Sequence, residues 1–314
     1  MSRNVTRRFL KSAGRFVMHL RGARGFVCAC AVLLSGPSFA AGPVIVLRAS
    51  ETPPYKLVES AFGGALGQPT KSVSAATGDV NAIAKTALSE SPALVFAIGA
   101  SAAKAIADAS PTSPLLYALV PNPARAGLKA QVPGVSMFAS PQSQLRAIKA
   151  LLPNAKRVGI LFDPKLTANE VAELEKAASG AGLSLVKKSV DGAQQVAGAA
   201  REVLGKCDVL LLIPDTTVVS GDTFKFIAQA SLEAKIPLVG FSQGMAKAGA
   251  VLAVEVGYDE IGKRAAGVAK KILAGASVGA ESPDGAVVLN TKSAQLLGIA
   301  VPASLKASAA KVFE

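Results

Sequence analysis

Six short runs of aliphatic residues constrain the fold of this chain more than any other feature of its sequence. A strand that is apolar along its whole length belongs in a parallel sheet covered by helices on both faces, because a strand with one wet face alternates apolar and polar residues. Weaker strands are predicted at Ser72–Ala75 and Leu183–Val190. The six runs are Val44–Leu47, Ala93–Ile98, Leu115–Val120, Val158–Phe162, Val209–Ile213 and Ile236–Phe241.

The segments between these runs have the periodicity of helices. Over Tyr258–Ile272, for example, apolar residues recur every three or four positions, which is typical of a helix that buries one side on a sheet. The same order of strand, polar turn, helix and Pro-marked strand occurs over residues 93–120 and again over residues 209–241. This repeat predicts an α/β protein with two similar parallel-sheet lobes and a first crossover near Ser136–Pro141.

The N-terminal part has the pattern of a signal peptide. Residues 1–40 contain seven Lys and Arg side chains and no acidic one, and the apolar run Gly25–Leu34 is shorter than the roughly 20 residues that span a bilayer. Ser38 and Ala40 supply the small side chains that precede a signal-peptidase cleavage site. We therefore expect a leader cleaved before Ala41 and export to the periplasm by the general secretory route. Twin-arginine export at Arg7-Arg8 and a lipoprotein box at Val27–Cys30 are the alternatives.

The residues left after cleavage exclude several classes of enzyme. His19, Cys28 and Cys30 lie in the leader, so the remaining chain has no His and a single Cys, Cys207. Catalysis by Ser-His-Asp or Cys-His groups and zinc or haem bound by His are therefore excluded. The sequence also lacks a phosphate-binding loop and a dinucleotide-binding fingerprint. We expect no enzyme activity, no cofactor and no metal.

Charge and aromatic content bear on the partners. Beyond residue 40 the chain carries 27 Lys and Arg against 21 Asp and Glu, spread along the sequence, and aromatic residues are only 5% of the whole, with no Trp. Nucleic-acid binding needs a concentrated basic surface or stacking aromatic side chains, so it is not expected. The predicted partner is a small-molecule ligand, bound by a monomer.

Candidate ligand-binding residues follow the predicted strands. In open α/β sheets, ligands bind beyond the carboxyl ends of the strands, where helix N termini present free N–H groups. At Gly99 the missing side chain lets the backbone approach a ligand closely. The candidates are Ser50, Gly99, Ala100, Ser101, Asn122, Asp215, Thr216 and Ser242, with Asp163 at the same predicted edge.

Three of these strand ends allow two interpretations. Ser101 binds a ligand carboxylate, or it caps the helix that follows. Asp215 pairs with a ligand ammonium, or it is the N-cap of the next helix. Arg48, which follows four aliphatic residues, clamps an anion with both nitrogens of its fork, or it is a solvated side chain at the sheet edge.

Several segments together resemble a known family, and they are Pro92–Ala102, Leu151–Leu161, Val209–Asp215, Ala234–Gly240, Gly257–Gly262 and Asn290–Pro302. By these segments the chain is similar to ABC-transporter substrate-binding proteins of the TrpX-like family, which have the type I periplasmic-binding-protein fold. The resemblance covers nearly all of residues 42–314. Arg48 and Glu255 are departures from the family pattern, which has small or hydroxylic residues at the first position and a neutral one at the second.

The resemblance implies capture of a ligand between two lobes, closure about a hinge, and delivery to a membrane permease. It implies that residues 41–137 with 258–285 form lobe 1, and residues 138–257 with 286–314 form lobe 2. It places the turn of Phe241 and Ser242 at the pocket with the candidates above. We expect the ligand to be an amino acid or a similar small polar molecule, with Ser101 taking the carboxylate and Asp215 the ammonium.

Two other functions stay open at this stage. A periplasmic sensory protein that presents its ligand to a membrane receptor or kinase would have the same sequence features, and neighbouring permease and ATPase genes, or a kinase gene, would separate the two. An exported enzyme on this scaffold is disfavoured by the missing His and the absence of a metal-ligand pattern.

Overall fold

The computed structural model describes residues 42–314, so the predicted signal peptide, residues 1–40, lies outside the described residues. The described part contains two β-sheets, each with helices on both faces. None of its helices is both long and apolar enough to cross a membrane.

The first sheet has five strands, all parallel, and its order places the second strand at one edge and the fifth at the other. Its three central strands are almost entirely buried, as the aliphatic runs predict. The strands are β1 (Val44–Arg48), β2 (Thr70–Ser74), β3 (Leu94–Ile98), β4 (Leu115–Ala118) and β5 (Gly134–Val135), in the order β2-β1-β3-β4-β5.

The second sheet has seven strands. All neighbouring strands are parallel except one antiparallel pair, formed by Leu252–Glu255 and Ala286–Asn290. The prediction of two α/β lobes with parallel sheets is thereby confirmed, with this pair as an addition. The strands are β6 (Arg157–Phe162), β7 (Ser184–Ser189), β8 (Val209–Leu211), β9 (Leu238–Gly240), β10 (Leu252–Glu255), β11 (Ala286–Asn290) and β12 (Lys311–Phe313), in the order β12-β11-β10-β9-β8-β6-β7.

The helices follow their strands along the chain. Pro residues open α1, α4 and α5, where a fixed φ and a missing N–H cost nothing because the first N–H groups of a helix have no partner within it. The helices are α1 (Pro53–Leu66), α2 (Val80–Ser89), α3 (Ala100–Asp108), α4 (Pro141–Leu151), α5 (Pro164–Gly180), α6 (Ala193–Leu204), α7 (Gly221–Glu233), α8 (Gln243–Lys247), α9 (Tyr258–Leu273), α10 (Thr291–Leu296) and α11 (Ala303–Ser308).

Helix α9 comes after five strands of the second sheet but packs on the first. Its main neighbour is α1, and it also contacts β3, β4 and β5. A side chain at Gly262 would clash with the backbone oxygen of Val58 in α1, so glycine permits the two helices to approach closely. The pair covers a stack of Phe62 on Phe96, whose ring centroids lie 4.3 Å apart.

Three chain segments connect the two lobes: residues 136–140, 256–257 and 274–285. They hold one another through the backbone. Ser136 N–H donates to the Glu281 carbonyl oxygen at 2.9 Å, and Ser140 N–H donates to that of Pro283 at 2.8 Å. Phe138 and Glu255 form an antiparallel bridge. Any motion of one lobe against the other must bend these three segments together.

Candidate functional site

The carboxyl ends of the central strands of both sheets border a cleft between the lobes. A cavity of about 270 Å³, here called the front cavity, opens there and is lined by residues of both lobes. It brings together Ala100, Asn122 and Thr216 of the predicted site residues. Its lining is Ala100, Pro121, Asn122, Arg125, Ala126, Leu166, Pro214 and Thr216.

Gly99 turns the chain from β3 into α3 at the edge of the front cavity. Its φ of +104° and ψ of 154° lie in a region that side chains other than glycine rarely adopt. An added Cβ would also lie 2.7 Å from Tyr55 Cε1 and 2.9 Å from Ala49 Cβ. The Tyr55 ring thus covers Gly99, a contact that joins α1 to the start of α3 and that the sequence does not reveal.

Helix α3 begins without a side-chain cap. Gly99 is its N-cap, so the capping role considered for Ser101 is wrong: Ser101 is an exposed residue of the first turn. Within residues 42–314, the backbone N–H groups of Ala100, Ser101 and Ala102 have no hydrogen-bond acceptor. They give this end of the cleft a partial positive charge that suits an anion.

Asn122 connects the two lobes. Its Nδ2 donates to the carbonyl oxygen of Leu166 in α5 at 3.0 Å, while its Oδ1 accepts from the N–H of Arg125 at 2.9 Å. The chain reaches Asn122 through Leu119, a buried residue with φ +53°. Such a backbone is disfavoured for leucine by about 1–2 kcal/mol, so packing around the cleft holds this loop in place.

Arg125 is a cleft residue that sequence reasoning missed. It is exposed, lines the front cavity and forms no ion pair within the described residues. Its charge can therefore meet a ligand anion. The loop position of Arg125, three residues past a predicted strand-end candidate, is the one signal that could have found it.

Asp215 is 1% exposed, and hydrogen bonds within the protein occupy both of its oxygens. Oδ2 accepts from the Asp163 N–H at 2.7 Å and from Thr167 Oγ1 at 2.6 Å. Oδ1 accepts from the backbone N–H groups of Thr217 at 2.9 Å and Val218 at 3.2 Å. This geometry leaves no free lone-pair direction toward the cleft and makes Asp215 a residue that ties β8 to α5. The N-cap interpretation is wrong, since α7 begins at Gly221 with Ser220 as its cap.

Asp163 completes this buried network. Its carboxylate accepts from the Lys165 N–H at 2.9 Å and from Thr217 Oγ1 at 2.8 Å, and these hydrogen bonds lower its pKa. Asp163 is the N-cap of α5 and is 5% exposed. The second lobe therefore presents two buried carboxylates behind its side of the cleft.

The remaining predicted residues lie outside the front cavity. Ser50 accepts from the Thr52 N–H at 3.2 Å in the turn before α1. Ser242 is the N-cap of α8, and Phe241 packs edge-on against Phe138 of the first connecting segment, with ring centroids 5.5 Å apart. Phe241 thus borders the hinge.

Arg48 is neither solvated nor available for an anion. Its side chain is 11% exposed, with Nε 2.6 Å from Glu59 Oε2 and a guanidinium nitrogen 3.0 Å from Glu51 Oε2. Hydrogen bonds from Ser74, Lys56 and Arg48 lower the pKa of Glu51 to about 2. Both interpretations of Arg48 are therefore wrong, because neighbouring carboxylates neutralise it.

A second cavity of about 220 Å³, here called the acidic cavity, shares Pro121, Asn122 and Pro214 with the front cavity. Glu170 and Glu173 of α5 stand at its rim, and neither was a predicted site residue. The lining is Tyr117, Val120, Pro121, Asn122, Pro123, Ser136, Phe138, Ala139, Pro141, Gln144, Thr167, Glu170, Glu173, Leu174, Ile213, Pro214, Ala280, Glu281 and Ser282.

The protein environment disfavours the charged form of Glu170. Displacement of water by the cleft walls raises its pKa above the ordinary range, and the negative charges of Glu173 and Asp215 raise it further. Glu170 keeps contact with solvent at the cavity mouth. The arrangement can bind a small molecule with polar ends, and within residues 42–314 no group of His, Cys, Asp or Glu side chains is placed to hold a metal ion.

Several known proteins are similar to this chain in sequence or in fold. A tyrosine-binding protein of Clostridioides difficile (strain R20291) is 28% identical over 206 residues, which is 63% of this chain and 59% of that protein, so the match spans less than two thirds of the relative. An ABC domain in complex with L-Trp from Streptococcus pneumonia has a TM-score of 0.58 at 24% identity, covering 87% of this chain and 99% of that one. A ligand-free, open substrate-binding protein with adhesive properties from Clostridium difficile has a TM-score of 0.67 at 24% identity, with the same coverage.

The family model described as ABC transporter substrate binding protein matches residues 67–313. The match contains every strand from β2 to β12 and both cavities of the cleft. The solved structures share the two-lobed type I periplasmic-binding-protein fold. The resemblance seen in the sequence is confirmed, and the chain belongs to the family of ABC transporter substrate-binding proteins.

Proposed function

We propose that this protein captures an amino acid or a similar small zwitterion in the cleft between its lobes and delivers it to the membrane permease of an ABC transporter. The observation that carries the proposal is the front cavity, which residues of both lobes line together. Only a ligand that contacts both lobes favours the closed state over the open one, and such closure is what a delivery protein needs.

The polar groups of the front cavity suit the carboxylate of such a ligand. The N–H groups at the start of α3 and the Arg125 guanidinium have no partner within the described chain, and both offer hydrogen bonds to an anion. Two similar proteins, a tyrosine-binding protein and an ABC domain in complex with L-Trp, support an amino acid as the ligand class. Of the predicted residues we propose Ala100, Ser101, Asn122 and Thr216 as ligand contacts, with Ser50, Gly99, Asp215, Phe241 and Ser242 shaping the cleft around them.

The lobe boundaries and the compartment belong to the same proposal. Lobe 1 comprises residues 41–137 with 258–285, and lobe 2 comprises residues 138–257 with 286–314. The packing of α9 on α1 and the pairing of β11 with β10 support this division. The signal peptide of residues 1–40 would deliver the protein to the periplasm, where it would meet the permease as a monomer.

A thermal-shift screen of the purified protein against the 20 amino acids tests the proposal. A ligand at 100 times its dissociation constant stabilises by about 2.7 kcal/mol, which raises Tm by several degrees. Calorimetry on the best amino acid should then show that Arg125→Ala weakens binding about tenfold, the typical effect of losing one charge-assisted hydrogen bond.

Lys129→Ala is the matched control, because it removes the same charge from the same exposed loop. Lys129 lines neither cavity. If both variants lose the same affinity, the loss reflects the lower net charge of the protein and not a contact between Arg125 and the ligand. Absence of a thermal shift with every amino acid would contradict the proposed ligand class.

A further inference from the structure

Among residues 42–314, the lining of the acidic cavity carries negative charge and no positive charge. These residues include Glu170, Glu173 and Glu281, and no Lys, Arg or His. Glu281 is already paired, with its Oε1 2.9 Å from Lys271 Nζ. In the part of the chain that the structure describes, Glu170 and Glu173 form no ion pair and no hydrogen bond to another side chain. The cavity thus holds two carboxylates whose charge nothing in the described protein neutralises.

Gln144 supplies an independent polar group at the wall of this cavity. Its side chain lines the cavity and the residue is 8% exposed. Its Nε2 donates to the Ala139 carbonyl oxygen at 2.8 Å, and this bond fixes the orientation of the amide. No donor among the described residues reaches its Oε1. Gln144 Oε1 is therefore a free acceptor at the wall of the acidic cavity, and it can receive an N–H from a bound molecule.

The rest of the wall is apolar and partly aromatic. Tyr117 and Phe138 face the cavity with Leu174 and Ile213. The edge-on contact with Phe241 holds the Phe138 ring in place. An aromatic face adds attraction for a cation, while the aliphatic side chains cover a hydrocarbon group.

We propose that the acidic cavity is a cation subsite of the cleft: it binds the ammonium of a ligand between Glu170, Glu173 and Gln144 Oε1, and it covers the ligand's apolar part with the aromatic and aliphatic wall. The proposal rests on ligand capture in the cleft, and it assigns the positive end of the ligand to α5 and α4 rather than to Asp215. Asp215 already accepts four hydrogen bonds from the protein. The raised pKa of Glu170 agrees with this assignment, because a bound cation would relieve the unfavourable charge.

Two probes of the same size and opposite charge test the subsite. Phenethylamine carries an ammonium and 3-phenylpropionate a carboxylate on the same ring and chain. Calorimetry with the purified protein should show saturable binding of phenethylamine and at least tenfold weaker binding of 3-phenylpropionate. Equal affinities, or no binding of phenethylamine at millimolar concentration, would overturn the proposal.

Variants locate the effect. The double substitution Glu170→Gln, Glu173→Gln should weaken phenethylamine binding at least tenfold, and because both residues are exposed at the rim the variant should fold, as circular dichroism can verify. Glu175→Gln on the same helix is the control and should leave the affinity unchanged. The Glu175 carboxylate is 2.8 Å from Lys187 Nζ, and the residue lines neither cavity. Unchanged binding in the double variant would also overturn the proposal.

Failure of this subsite and failure of the proposed function are distinguishable. If an amino acid shifts Tm and depends on Arg125, while the double variant binds that amino acid and phenethylamine as the parent does, only the cation subsite is wrong. If no amino acid binds but phenethylamine binds through Glu170 and Glu173, the ligand class of the proposed function is wrong and the subsite stands.

Discussion

Gly99 is the residue at which backbone conformation and packing most narrowly limit the sequence. We predict that Gly99→Ala destabilises the protein by about 2–5 kcal/mol, for two reasons. Alanine is strained at a φ of +104°, and its Cβ would lie 2.7 Å from Tyr55 Cε1. Urea unfolding followed by circular dichroism measures the free energy of unfolding.

Gly267→Ala is the matched control for that measurement. Gly267 lies in the middle of α9, is exposed, and has no atom within 4 Å of an added Cβ. Alanine there should stabilise by about 0.5–1 kcal/mol through helix propensity alone. If Gly99→Ala also leaves stability unchanged or raises it, the strained turn described for the start of α3 is not a feature of the protein in solution.

The sequence predicted which residues lie near the cleft better than it predicted the partners of their side chains. The rule that ligands bind beyond strand ends selected Ala100, Asn122 and Thr216, which line the front cavity. It could not show that hydrogen bonds saturate Asp215, nor that Glu59 neutralises Arg48, because the partners lie far away in the sequence or on another element. Arg125 and Glu170 were missed because neither directly follows a strand.

At the scale of elements, the Asp163–Asp215 network connects the end of β6, the first turn of α5 and the turn after β8. Thr167 departs from helical geometry within α5, with φ −134° and ψ 23°, and its hydroxyl reaches Asp215 at 2.6 Å. Because α5 also carries Glu170 and Glu173, this network fixes the direction from which both glutamates approach the cleft. We therefore propose that the network supports the site from behind.

We predict that Asp215→Ala lowers the free energy of unfolding by about 3–5 kcal/mol, since it leaves the N–H groups of Asp163, Thr217 and Val218 and the Thr167 hydroxyl without their acceptor. Denaturant unfolding without ligand is the measurement. Thr216→Ala, at the adjacent exposed position, should change stability by less than about 0.5 kcal/mol. A stable Asp215→Ala variant that fails only in ligand binding would instead restore the ammonium-pairing role predicted from the sequence.

The aliphatic runs predicted the central strands of both sheets within a few residues, because burial on both faces dictates their composition. Four strands were not predicted, because their formation does not depend on such a local pattern. β5 is two residues long and β12 three, too short for any periodicity. β10 and β11 form the antiparallel pair, whose partners are separated by the whole of α9. Their pairing depends on the chain returning from the first lobe, which no local pattern encodes.

At the scale of the whole molecule, the charges around the cleft are arranged by lobe. The first lobe contributes the free N–H groups of α3 and the Arg125 guanidinium, while α5 of the second contributes Glu170 and Glu173. A zwitterion spanning the cleft would have its carboxylate near one lobe and its ammonium near the other. Such a ligand binds well only when both lobes are close, which couples recognition to closure.

The hydrogen bond between Asn122 and the Leu166 carbonyl oxygen joins the two lobes directly across the cleft. Asn122→Ser keeps an oxygen that can accept from the Arg125 N–H, as Asn122 Oδ1 does, but its side chain is too short to reach Leu166. Loss of one such bond costs about 0.5–1.5 kcal/mol, so the ratio of open to bridged molecules should rise roughly 2- to 10-fold.

Small-angle X-ray scattering without ligand should therefore give a larger radius of gyration for Asn122→Ser than for the parent. Ligand affinity should fall by at least the same factor if the liganded protein keeps the bond, because the binding-competent fraction is smaller and because Asn122 is itself a proposed ligand contact. Asn154→Ser, in the exposed loop before β6, is the control and should change neither quantity. If Asn122→Ser matches this control in both measurements, the Asn122–Leu166 bond does not hold the lobes together, and the three connecting segments alone set their separation.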